Sequence, residues 1–199
     1  KGLEPDFGLI EKLAAECRMP LCYGGGINNV SDANRILSLG VEKVSISSSA
    51  HLNPQIISDL SNQVGSQSVV VTLDIKKKFF GGYEVYINNG QKNTKKNPIS
   101  LAKEYQDLGA GEIIINSIDR DGMMNGYELD IINEIKKNIK IPLTCVGGAG
   151  SLKDIAKLID QEKLVGAAAG SLFVFKGKYK AVLITYPSTK EKHQAFGEL

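Results

Sequence analysis

The sequence predicts a (β/α)8 barrel, of which this chain carries about six of the eight strands. Short apolar, β-rich runs alternate with amphipathic stretches of about a dozen residues, the pattern of β-α units around a parallel sheet. Glycines and serines stand directly after several of these runs. The chain also repeats itself: Pro20-Leu21 then Cys22-Tyr23-Gly24-Gly25 is answered by Pro142-Leu143 then Cys145-Val146-Gly147-Gly148, at an offset of 122 or 123.

Taken in order, the strands are expected at residues 19–23, 43–47, 68–74, 112–117, 141–146 and 166–170. Each is mostly apolar, as a parallel strand covered on both faces should be. The helices between them carry boundary signals. Asn53-Pro54 and Asn97-Pro98 place an asparagine N-cap before an N1 proline, and Gly65 and Gly109 sit at C-terminal stops. Residues 76–90 read instead as a hairpin insertion, since 83–87 alternates in strand fashion and Asn89-Gly90 is a turn pair.

The repeat extends beyond the glycine turns. Gly25 to Ser48 and Gly148 to Ser171 are both 23 residues, and Ile10, Leu13 and Pro20 answer Ile132, Ile135 and Pro142. The repeating unit is therefore a four-strand half. If residue 68 opens the second half, its counterpart falls roughly fifty-five residues before Lys1 by the symmetry of a two-half barrel. The expectation is one barrel domain over residues 1–199 that lacks its first two strands.

Composition narrows the chemistry. With 199 residues, 42% hydrophobic and 23% charged, the chain is in the globular range. Its net charge of +2 is too close to balance for a general nucleic-acid or membrane-surface binder. Cys17, Cys22 and Cys145 are odd in number and show no CxxC spacing, which argues against a disulfide framework or zinc site and favours a reducing cytoplasm. No apolar run approaches the roughly 20 residues that span a bilayer. His51 and His193 are the only histidines, which disfavours Ser-His-Asp, Cys-His and multi-histidine metal schemes and leaves carboxylates as acid-base candidates.

Glycines placed just after strands let backbone N–H groups approach an anion, and a following helix N-terminus favours negative charge. One such set is Gly24-Gly25-Gly26 with Ser47-Ser48; the other is Asp121-Gly122, Gly147-Gly148 and Gly170-Ser171. Symmetry puts them on opposite sides of one mouth, which suits a substrate phosphorylated at both ends. The competing reading is that these glycines only make tight strand-to-helix turns. Asp74 ends an otherwise apolar strand at that mouth, as a general acid or base should, the alternatives being a helix cap or a bridge to Lys76. Asp119 is expected to be structural, bridged to Arg120. Lys43 and Glu112 start their strands, on the face opposite the chemistry, where charge ordinarily reads as stability.

Several segments together resemble the cyclase subunits of imidazole glycerol phosphate synthase: Gly24-Gly25-Gly26-Ile27, Lys43-Val44-Ser45-Ile46, Gly65-Ser66-Gln67, Lys92-Asn93-Thr94, Ser117-Ile118-Asp119-Arg120-Asp121-Gly122 and Gly147-Gly148-Ala149-Gly150. The resemblance implies a cytoplasmic (β/α)8 barrel that pairs with a glutaminase subunit as a heterodimer. Such a barrel uses the partner's ammonia to cleave and cyclise a bisphosphorylated ribulosyl intermediate of histidine biosynthesis. By resemblance, Asp74 is the second catalytic aspartate. Asp121, Gly122, Gly148, Gly170 and Ser171 match one phosphate site, Gly26, Ser47 and Ser48 the other, and Lys43 and Glu112 belong to the ring at the ammonia entrance. No cofactor or metal is expected.

Two departures stand out: Ser47 replaces a usual asparagine and Asn116 a usual threonine. The run from Gly170 to Ile184, followed by Tyr186-Pro187-Ser188, resembles a paralogous branch associated with surface polysaccharides. That branch implies ammonia supplied for acetamidino-sugar formation. A non-catalytic barrel that only channels ammonia is the third reading.

Overall fold

The computed structural model describes residues 4–161, 165–177 and 179–197. Lys1, the reference point for the expected offset of the two halves, and Lys178, within the polysaccharide-branch run, lie outside them. Helix α1 (Phe7–Glu16) leads through β1 (Cys22–Gly24), α2 (Val30–Ser38) and β2 (Lys43–Ile46) into α3 (Ser48–Leu52) and α4 (Gln55–Val64). Then come β3 (Val69–Lys77), β4 (Tyr83–Ile87), β5 (Lys92–Asn93), α5 (Pro98–Asp107), β6 (Glu112–Ser117) and α6 (Leu129–Asn138). The chain continues with β7 (Leu143–Val146), α7 (Leu152–Gln161), β8 (Val165–Ala167), α8 (Ser171–Val174), the short pair β9 (Phe175–Lys176) and β10 (Ala181–Val182), and α9 (Thr189–Phe196).

The main sheet runs β1-β2-β3-β6-β7-β8, every neighbouring pair parallel. Successive parallel strands are thus spatial neighbours joined by helical crossovers, the winding of a (β/α)8 barrel. The described residues supply six of its parallel strands. Among them no helix is long and apolar enough to cross a membrane.

Strand ends differ from the sequence expectation at several points. Strands β1 and β7 begin three and two residues late, at Cys22 and Leu143, because Pro20 and Pro142 have no N–H to give the ladder. Pro142 still accepts from Ile113 N through its carbonyl, at 3.0 Å. Strand β2 stops at Ile46 because Ser47 turns to start α3. Strand β3 continues three residues past Asp74, its end held by antiparallel pairing with β4 from Asp74↔Tyr86 to Lys77↔Tyr83. Strand β8 covers Val165–Ala167 instead of 166–170. The hairpin insertion is present, and its inner turn holds Asn88, Asn89 and Gly90 all at positive φ (55°, 57° and 76°).

Alternation sorts the sheet into two faces. Val69, Val71, Leu73 and Ile75 of β3 and Ile113 and Ile115 of β6 point toward the helices. They share one buried core with Ile57 and Leu60 of α4, Leu101 and Tyr105 of α5, and Ile132 and Ile135 of α6. The opposite face, the barrel interior, carries the polar residues Lys43, Ser45, Thr72, Asp74, Glu112, Asn116 and Thr144, all partly buried, beside Val70, Ile114 and Val146. Ser45 Oγ and Thr72 Oγ1 share a hydrogen bond there, at 2.7 Å.

One cap expectation holds and one does not. Asn97 accepts from the N–H groups of Ile99 (2.8 Å) and Ser100 (3.2 Å), with Pro98 at N1. Asn53 instead closes α3 as its C-cap, and α4 starts after Pro54 with no side-chain cap bond. Asn97→Ala should therefore cost about 1 kcal/mol of stability, and Asn53→Ala no more than about 0.5 kcal/mol. Urea unfolding of both variants checks this, and equal losses would contradict it.

Candidate functional site

The loops after β1 and β2, Thr72 and Asp74 of β3, and the inner turn of the hairpin line an open cavity of about 900 Å3. Gly25, Gly26, Ser47, Ser48 and Asp74 line it together, so the first predicted cluster converges. Gly25 and Gly26 take φ of 121° and 71°, and a Cβ on Gly25 would meet nothing within 4 Å, so the backbone there faces open space. The Ser47 hydroxyl makes no cap bond with α3. Ser48 Oγ accepts from Asn88 N at 3.0 Å, which ties the hairpin turn over the cavity. Asn88, Asn89 and Gln91 thereby join the lining, a contribution that the hairpin pattern alone does not announce.

The second cluster also assembles. Asp121, Gly122, Gly147, Gly148, Gly170 and Ser171 surround a recess of about 30 Å3 where the loops after β6, β7 and β8 meet. Here close backbone packing by itself requires two of the glycines. A Cβ on Gly147 would lie 2.8 Å from Ser117 O, and one on Gly148 would collide with the Gly126 carbonyl. Gly148 O in turn accepts from Gly126 N at 2.7 Å. Gly170 faces open space, and Gly122 O accepts from Lys180 Nζ at 3.0 Å.

Asp74 sits on the interior face beside Asn116, its register partner on β6. Asn116 Nδ2 donates to Asp74 Oδ1 at 2.8 Å. Burial pushes the Asp74 carboxyl above its ordinary range; the Asn116 bond pulls it back and the Asp121 charge adds to the rise. Among the described residues neither alternative role is seen: no helix cap involves Asp74, and Lys76 Nζ lies over the Tyr86 ring, 5.9 Å from its centroid. At the foot of the strands Lys43 Nζ pairs with Glu112 Oε2 at 2.6 Å, and Thr144 Oγ1 donates to Glu112 Oε1 at 2.7 Å. Thr144 was not singled out in the sequence, although its place in β7 follows from the β6 pairing Ile114↔Thr144.

Residues 1–180 match the sequence profile of a family described as "Histidine biosynthesis protein". The chain belongs to that family. A Vibrio vulnificus protein with the provisional name imidazole glycerol phosphate synthase subunit hisF3 is 60% identical over 195 residues, covering 98% of this chain and 75% of its own. A Pseudomonas aeruginosa relative, provisionally subunit hisF2, is 44% identical over 188 residues, covering 94% of this chain and 75% of its own. The imidazole glycerol phosphate synthase subunit HisF of Alkaliphilus metalliredigens is 42% identical over 165 residues, covering 83% and 66%.

In this member of the family the segment Asp119-Arg120-Asp121 is arranged differently from the sequence expectation. Arg120 pairs with neither aspartate. Its Nε meets Glu128 Oε1 and its Nη1 donates to Asn125 O at 3.0 Å. Asp119 is structural through another contact, accepting from Lys77 N at 2.9 Å. Tyr83 Oη donates to Glu128 Oε2 at 2.5 Å, so one buried carboxylate joins the hairpin to the loop after β6. Glu128, eight residues after Arg120, had no local signal, because strand pairing rather than spacing brings Tyr83 to it.

Burial opposes the Glu128 charge, but the bonds from Tyr83 and Arg120 and the Arg120 charge outweigh it and hold its pKa below the usual 4.5. A depressed carboxylate contributes stability above its unfolded pKa and loses it as pH falls through the folded value. Glu128→Gln should cost about 2 kcal/mol at neutral pH. Its stability should converge with that of the parent protein below the carboxylate range. Urea titrations at neutral and acid pH test this, and a pH-independent difference would contradict it.

Proposed function

We propose that this chain forms the catalytic mouth of a synthase subunit that uses ammonia from a glutaminase partner. The substrate is a bisphosphorylated ribulosyl intermediate, cleaved and cyclised to imidazole glycerol phosphate. The observation that carries this reading is the position of Asp74, which lines the cavity of the first glycine cluster and feels the charge of Asp121 in the second. A substrate with a phosphate at each end would lie across that carboxyl.

In this reading the open backbone at Gly25, the Gly26 turn beside it and the hydroxyls of Ser47 and Ser48 hold one phosphate. Gly122, Gly170 and Ser171 hold the other, with Gly147 and Gly148 shaping the recess and Asp121 beside it. Asp74 moves the proton: burial raises its pKa above the ordinary carboxylate range, which makes it a stronger base than a solvated carboxylate. Lys43 and Glu112 stand at the opposite end of the strands, where ammonia would enter a barrel interior lined by Ser45 and Thr72. The family membership and the named relatives support the reaction class.

Asp74→Asn is expected to abolish ammonium-dependent synthesis, from a parent turnover on the order of one per second or faster, without weakening glutaminase binding. Loss of substrate with free ammonium is the measurement, and undiminished turnover in the variant would remove Asp74 from the mechanism. A folded parent protein that leaves the ribulosyl substrate untouched would transfer the reading to acetamidino-sugar formation or ammonia channelling.

A further inference from the structure

Asn116 is an interior-facing residue of β6, two positions beyond Ile114 and four beyond Glu112. The parallel register pairs its Cα with that of Asp74, so both side chains leave neighbouring strands on the same face. Its Nδ2 donates to Asp74 Oδ1 at 2.8 Å, while its own Oδ1 is buried and has no partner. A buried acceptor left without a donor is costly. Turning the amide end for end would set two acceptors against each other. The orientation of Asn116 is therefore determined by the carboxylate beside it, not by its own hydrogen-bonding needs.

The other groups around Asp74 do not perform this task. Asp121, from the loop after β6, repels the carboxylate. Lys76, two residues along the same strand face, is over the Tyr86 ring, and Tyr86 is the register partner of Asp74 on β4. Glu84, opposite Lys76, accepts from Asn93 Nδ2 at 2.7 Å. Thr72, below Asp74, is engaged with Ser45. Among the described residues, Asn116 is the side chain that donates to Asp74.

We propose that Asn116 is the positioning residue of this site, its amide holding one oxygen of Asp74 so that the other is presented to the cavity. It acts through Asp74, and its catalytic relevance rests on the function proposed above. A consequence is that Asn116 keeps Asp74 ionised at lower pH than burial beside Asp121 would otherwise permit.

The test follows the Asp74 carboxyl by carbon-13 NMR through a pH titration. Asn116→Leu, similar in volume but without a donor, should move the midpoint upward, and Asn116→Thr, which restores a hydroxyl donor, should move it back toward the parent value. The acid limb of the pH–kcat profile should shift with it, with KM little changed. A midpoint that stays in place in a folded Asn116→Leu protein overturns the proposal. A second measurement needs no folded Asn116 variant: the Asn116 side-chain amide resonances should titrate with Asp74 and stop doing so in Asp74→Asn. Amide resonances indifferent to Asp74 overturn the proposal as well. If the NMR coupling holds while Asp74→Asn retains full turnover, the positioning contact stands and the catalytic role of Asp74 fails, so the two readings separate.

Discussion

The parallel pairing of β3 with β6 is the constraint on which the rest of the molecule depends. Six residue pairs, from Val70↔Glu112 to Ile75↔Ser117, set the register. Because side chains alternate, a slip of one residue would exchange every inward and outward group of either strand. In the observed register, Val71, Leu73, Ile75, Ile113 and Ile115 all enter the helix-covered core, and Asp74 and Asn116 both enter the barrel interior. Hydrophobic burial on one face thus selects the polar geometry on the other. The site needs no separate folding instruction.

That interior is organised in levels along the strands. Lys43, Glu112 and Thr144 form a charged and hydroxyl group at the foot, Ser45 and Thr72 a hydroxyl pair at mid-height, and Asp74 and Asn116 a carboxyl and amide at the mouth. Buried polar groups are tolerated where they satisfy one another. Nearly every member does so, and the exception is Asn116 Oδ1 beside the carboxyl at the mouth. An unsatisfied acceptor confined to that level agrees with a local demand of function over stability.

The glycine loops show how one residue type serves two ends. Gly147 and Gly148 are required by backbone packing against Ser117 and Gly126, whatever binds nearby, whereas Gly25 and Gly170 have open space before them. Sequence alone weights these four equally. The hairpin after β3 likewise does more than decorate its loop. Its inner turn hydrogen-bonds Ser48 and lines the cavity, and its Tyr83 reaches the Glu128 carboxylate that holds Arg120. The mouth is therefore braced from two directions by an element whose local pattern announced only a β-ribbon.

Periodicity, caps and the internal repeat were enough to determine the class of fold, the six parallel strands, the hairpin and both glycine clusters, because each depends on neighbours within one turn or strand. Strand ends erred where a proline lacked its N–H, as at Pro20 and Pro142, or where a distant partner prolonged the ladder, as β4 does for β3 beyond Asp74. The partners of polar groups were out of reach for the same reason. Arg120 pairs with Glu128 rather than the aspartates on either side of it, Asp119 with the Lys77 amide, and Asp74 with Asn116, 42 residues away. Local composition determined which residues stand at the mouth. Only the register between strands far apart in the chain decided which of them touch, since a hydrogen bond needs alignment within a few tenths of an ångström that spacing along a chain does not encode.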